Sequence, residues 1–346
     1  MRKLLILLIL VSFILTPVGA IELSAPEVPE FGQDFMPEDT GNLQAGLAQI
    51  IRKALLQLRP DLKEAGKVCL GIAAAVMVVS VFRVVSNGIG RTADLAGAVA
   101  ISGMFLSAAG ALINLGIGTV MEVSQYGKLL LPVLTAALAA QGGITTSSAL
   151  YTGTAMFDAV LSSLISKALV PMIYLYLALA PANCALGDDL LKKIRDTVKW
   201  FMTWSLKTLL YIFTGYIGIT GVVSGPTDAA ALKAAKLTIS GVVPVVGGIL
   251  SDASEAVLVG AGTVKNAIGL YGLFAVIAIW TEPFLKIGTH YLMLRFTGSI
   301  CDVFANKRLS GLIQDFATAM GFLLAMTGAV CLMLLVSIVC FMRGMG

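Results

Sequence analysis

The chain has 346 residues, of which 58% are hydrophobic and 13% charged, with a mean hydropathy of +0.91. A soluble domain carries about 25% charged residues, so the apolar excess is too large for a core alone and points to a polytopic membrane protein. The net charge of +4 is small, with Lys and Arg scattered over loops and helix ends, so no nucleic-acid partner is read from it.

Residues 1–20 read as a secretory signal peptide. Arg2 and Lys3 form the charged start, Leu4 to Leu15 the apolar stretch, and Val18-Gly19-Ala20 the small-residue site before a cut. An uncleaved signal anchor is the alternative. Residues 21–66 read as an extracytoplasmic polar segment with Pro26, Pro29 and Pro37, closed by an amphipathic helix from Leu43 to Leu58 that stops before Pro60. Residues 67–346 form the polytopic membrane domain. Candidate spans run from Val68 to Phe82, Leu95 to Val120, Ala155 to Ala180, Phe201 to Val223, Ala267 to Thr281 and Phe316 to Phe341. Phe284 to Phe304 is apolar but charged enough to lie in the interface or a protein-lined interior. The fold class is therefore all-α, with about six to eight transmembrane helices. Trp200 and Trp204 suit interface anchors, and Arg83, Arg91 and the cluster from Lys192 to Lys199 suit the cytoplasmic side.

Two apolar segments are interrupted. The first, LLLPVLTAALAAQGGITTSSAL, runs from Leu129 to Leu150 and holds Pro132, Gly142 and Gly143; the second, from Ile239 to Gly260, holds Pro244, Gly247, Gly248, Ser251 and Asp252. Non-helical backbone at bilayer depth must be buried in protein or line a cavity, because lipid satisfies no N–H or C=O group. Three readings stay open: re-entrant hairpins that pack a bundle, the broken helices of an inverted-repeat transporter, and parts of an oligomeric pore or docking surface. Asp252 reads as the N-cap of a helix beginning near Ala253, with Glu255 at its third position; cation coordination by Asp252 is the minority reading. The Gly-Gly pairs are expected to matter more than the charges.

Charged residues inside apolar runs are costly. Asp158, Lys167, Lys207, Glu282, Lys286, His290 and Arg295 qualify. They form either an ion or proton path or a set of structural pairs and snorkelling ends. Asp158 and Lys207 read as snorkelling, Glu282 and Lys286 as a self-neutralising i,i+4 pair, and His290 as a packed interior histidine. The five cysteines show no CxxC spacing, so neither a disulfide framework nor a metal site is indicated. No P-loop, HExxH or GxSxG motif is present. The expectation is a protein that is not an enzyme and needs no cofactor.

The first segment and the run SGVVPVVGGILSDASEAVLVGAGTVKNAIGLYG resemble the stage III sporulation protein AE family, most specifically over Val243 to Ala253. The resemblance implies a membrane subunit of the channel-like, secretion-like complex linking mother cell and forespore, permease-like in character and needed for forespore development. It implies partners among the other stage III A operon proteins and stage II sporulation protein Q, a place in the mother-cell membrane around the forespore, and no catalytic residues. Self-association is compatible with it. The competing class is a stand-alone secondary transporter for a small solute.

Overall fold

The computed structural model describes residues 24–85, 90–242, 247–304 and 307–344. The expected signal peptide and Pro244 lie outside these residues. The described residues contain helix and no strand: α1 (Glu30–Gln33), α2 (Leu43–Val85), α3 (Gly90–Ala140), α4 (Ile144–Leu164), a π turn (Ile165–Leu169), α5 (Val170–Leu186), α6 (Asp189–Val242), α7 (Gly247–Phe304) and α8 (Lys307–Arg343). Among them, five stretches are long and apolar enough to cross a membrane: Leu43–Arg83, Thr92–Ala140, Ile144–Leu186, Val259–Val303 and Lys307–Arg343. This fits a multi-pass membrane protein. The span expected from Phe201 to Val223 falls in α6, which is not one of the five.

The helices are longer than the expected spans. α3 has 51 residues, roughly 76 Å at 1.5 Å per residue, against a hydrocarbon core of about 30 Å. Three prolines that read as stops or breaks lie inside continuous helices: Pro60 in α2, Pro132 in α3 and Pro283 in α7. Each removes one backbone donor and crowds the preceding turn, yet the packed neighbours keep the rod continuous. The amphipathic helix and the first span are consequently one element, and α2 crosses residue 66 without a break. Pro171 behaves differently. It follows the π turn Ile165–Leu169, and a widened turn is one way to relieve the clash a proline makes with the carbonyl four residues earlier.

The core is built around α8. Its most apolar window is 61% buried, against 22% for that of α2. α7 and α8 form an antiparallel hairpin: Gly298 meets Gln314, Gly321 meets Tyr291, and Gly269 meets Met342. α3 runs parallel to α8. Gly97, Gly116 and Gly127 on α3 face Leu309, Leu323 and Leu334, with Phe105 and Phe316 stacked 4.2 Å apart between them. Without a hydrophobic force between helices in lipid, association rests on such close fits of small residues against large ones. α4 runs antiparallel to α6 through the edge contact of Phe157 and Phe213 and through Tyr216, whose hydroxyl donates to the Ala149 carbonyl at 2.9 Å. The N-terminal segment packs against α7 where Val28 and Ile279 close around Gly32.

These directions give the bundle two unlike ends. One gathers the links α2–α3, α5–α6 and α7–α8: Cys184 Sγ meets the Arg308 carbonyl at 3.3 Å, and Arg195 meets Asp315 at 2.6 Å. The other holds the α3–α4 corner and the end of α8, where Leu138 lies against Gly344.

Gly153 lies under the Tyr216 ring, whereas a Cβ on Gly110 would meet nothing within 4 Å. Gly153→Ala is expected to lower stability by about 1–3 kcal/mol through overpacking, and Gly110→Ala to raise it by roughly 0.5–1 kcal/mol through helix propensity. Thermal unfolding of the purified variants in detergent measures both.

Candidate functional site

In the first interrupted segment the only break in the helix is at Gln141-Gly142-Gly143. It is the corner between two long helices. The α3 chain closes with Gly143 N–H donating to the Leu138 carbonyl at 3.1 Å and Gly142 N–H to the Ala139 carbonyl at 2.9 Å. Gly142 has φ 95°. A six-to-one and a five-to-two bond around a left-handed residue make a Schellman cap, a position that favours glycine. The Gly-Gly pair is therefore the C-terminal cap of α3, and Pro132 breaks nothing.

α4 then starts with a problem. Its N-cap is Gly143, which has no side chain to satisfy the first N–H groups. The acceptor comes from α6: Asp228 takes the Thr145 N–H at 3.0 Å on Oδ1 and the Thr146 N–H at 2.8 Å on Oδ2. Asp228 is 3% exposed. Burial opposes its ionisation, but the hydrogen bonds from Thr146 and Thr145 outweigh burial and hold the carboxyl below its usual value. The carboxylate also complements the positive end of the α4 dipole.

The same end carries the opposite arrangement at a helix C-terminus. Lys265 of α7, 4% exposed, donates to the Gly344 carbonyl just past α8 at 2.9 Å. One turn earlier, Gly262 lies against the amide of Gln141 at the corner. Thus α3, α4, α6, α7 and α8 meet at one end through two buried charges that cap helices across the chain. Neither Asp228 nor Lys265 stood out in the sequence. Asp228 follows Ser224-Gly225-Pro226-Thr227, which reads locally as a turn, and its partners are more than 80 residues away.

The second segment is the junction of α6 and α7. α7 begins at Gly247, so Ser251 and Asp252 lie within its first two turns rather than at a cap near Ala253. The side chains of Gly247, Gly248, Ser251 and Asp252 are outside the described residues.

The intramembrane charges divide into separate places. Asp158 does not snorkel: it is buried in mid-helix and accepts the Ser124 hydroxyl of α3 at 2.5 Å. Thr154, one turn away, donates to Ser337 of α8 at 2.9 Å. Glu282 and Lys286 pair at 2.7 Å. Lys286 also interacts electrostatically with Asp61 and Glu64 of α2, and His290 Nδ1 lies 2.8 Å from the Lys286 carbonyl. Within this α2–α7 cluster, Asp61 Oδ2 and His290 Nε2 are buried with no hydrogen-bond partner among the described residues. No group of three or more His, Cys, Asp or Glu side chains among the described residues is placed to hold a metal ion.

The comparisons with known proteins bear on this whole body. The sequence profile described as Stage III sporulation protein AE matches residues 31–344. The chain belongs to the stage III sporulation protein AE family. Within the family, the Stage III sporulation protein AE of Bacillus subtilis (strain 168) is 24% identical over 175 residues, covering 51% of this chain and 44% of that relative. The matched region therefore spans less than half of that relative's length. No solved structure matches the chain.

Loss of the Asp228 cap is testable through its pH dependence. Asp228→Asn is expected to destabilise by about 1–2 kcal/mol at neutral pH. The carboxyl titrates below its ordinary value of 3.8 when folded, so its contribution is complete above that pH and is lost as pH falls through the folded value. The gap between wild type and variant in thermal unfolding is therefore constant near neutrality and closes in acid. A gap that persists unchanged below pH 3.8 would contradict the assignment.

Proposed function

We propose that this protein is a membrane subunit of the channel-like, secretion-like complex that links mother cell and forespore and is needed for forespore development. Family membership from residue 31 to residue 344 carries the reading, and an all-helical bundle with five candidate spans supports it. The protein sits in the mother-cell membrane around the forespore. Its partners are other stage III A operon proteins and stage II sporulation protein Q. It acts by assembly and not as an enzyme.

Orientation follows from charge. The end bearing Arg83, Lys192, Lys193, Arg195, Lys199, Lys307 and Arg308 is assigned to the cytoplasm by the positive-inside rule. The capping cluster then faces the space between the two membranes, where partners of an intercellular complex would dock.

A stand-alone transporter is the second reading, and the unpartnered Asp61 and His290 atoms are the observation on its side. The two readings separate cleanly. Deletion in the source organism is expected to leave engulfed forespores that stall, with a sharp fall in heat-resistant spores. Complementation with Asp158→Asn, Glu282→Gln or His290→Gln is expected to restore most of the yield, whereas Gly142→Val is not. Normal sporulation of the deletion strain would overturn the proposal; selective failure of the charge variants would favour transport.

A further inference from the structure

A cleft of about 320 Å³ with charged residues in its lining opens at the basic end of the bundle, between the end of α5, the first turns of α6 and the first turns of α8. That volume is at the low end for small-ligand pockets. The charged residues lining it fall into two sets. On the floor, Asp315 accepts the Tyr176 hydroxyl at 2.9 Å and pairs with Arg195 at 2.6 Å, so these charges are spent on each other. At the rim, Asp188 accepts the Leu190 N–H at 2.8 Å and caps α6, and Asp189 adds a second carboxylate in the first turn of α6. Lys192 and Lys307 line the cleft, are exposed, and have no ion-pair partner among the described residues. The Arg308 guanidinium is held beside them. It lies over Gly187, where a Cβ would come within 2.6 Å of Arg308 Cζ, and Gly187 has φ +65°. A side chain at that turn would displace the guanidinium.

The depth of the cleft narrows the ligand. The candidate span Ile144–Leu186 ends at it and the span Lys307–Arg343 begins at it, which sets it at an end of the bundle rather than at mid-depth. On α6, a few residues past Arg195, Trp200 and Trp204 are 61% and 50% exposed and stacked 5.9 Å apart. Exposed tryptophans favour the headgroup level. A ligand at that depth with oxygen acceptors and negative charge matches the rim, because basic pockets between spans on the cytoplasmic side suit acidic headgroups.

We propose that this cleft binds the phosphoryl group of an anionic phospholipid headgroup, held by Lys192, Lys307 and Arg308. The site does not depend on the channel reading. It would fix the depth and tilt of α6, the long helix that is not among the five candidate spans.

The test is titration of phosphatidylglycerol against the full chain in phosphatidylcholine nanodiscs, read by native mass spectrometry and thermal unfolding. Lys192→Ala with Lys307→Ala is expected to weaken binding by about thirtyfold, roughly fivefold per lysine, with helix content unchanged. Lys193→Ala, on the same end but outside the cleft, should change it by less than about twofold. If the alanine pair does not fold, Lys192→Gln with Lys307→Gln carries the same test. Affinity unchanged in the paired variant, or lost equally in Lys193→Ala, overturns the site. Inorganic phosphate that stabilises the protein in phosphatidylcholine as well as phosphatidylglycerol does would overturn the lipid assignment in favour of a soluble phosphate.

Discussion

Every backbone group near the membrane has to find a partner inside the protein, and the start of α4 is where this chain meets that demand most visibly. Gly142 lets α3 end and turn, and its neighbour Gly143 has no side chain with which to cap α4. Asp228 supplies two acceptors from a helix that arrives more than 80 residues later. Lys265 does the reverse for the end of α8. Each places its charge against the helix dipole of the element it caps, so the same contacts that satisfy the backbone also hold five helices in one arrangement. The two backbone bonds of the Schellman cap close the corner itself.

The central helix α8 shows how the rest of the bundle is held. Leucines on α8 fill the gaps left by glycines on α3, and aromatic stacking joins the two helices midway. Polar cross-links among the described residues include Ser124 to Asp158, Thr154 to Ser337, Tyr176 to Asp315 and Trp280 to Thr327. Measured interhelical hydrogen bonds in membranes average well under 2 kcal/mol. Their role here is to select one rotation of each helix, since any other would strand a hydroxyl or carboxylate in an apolar setting.

The two ends of the molecule differ in a way that suits an assembly subunit. One end is closed by internal caps from Asp228 and Lys265. The other concentrates basic residues around a cleft flanked by exposed tryptophans. Under the proposed function, the basic end faces the cytoplasm and the other end the space between the two membranes. The α2–α7 cluster of Asp61, Glu64, Glu282 and Lys286 lies between these ends, with Glu282 and Lys286 paired at 2.7 Å.

The sequence by itself determined the class. Its apolar excess points to a membrane, its long apolar runs to an all-α fold, and the run from Val243 to Ala253 carries the resemblance to the family. It also marked the place of the α3–α4 corner, because Gln141-Gly142-Gly143 is a local cap signal. What it did not contain was the length and partnership of the helices. Pro60, Pro132 and Pro283 read as breaks because a proline costs one hydrogen bond locally. Only the packed neighbours decide whether that cost is offset, and here it is. Asp158 read as a snorkelling end because its partner Ser124 lies on another helix. Asp228 and Lys265 were unmarked for the same reason: a cap given across the chain leaves no trace in local spacing, and only the tertiary structure brings the donor and its acceptor together.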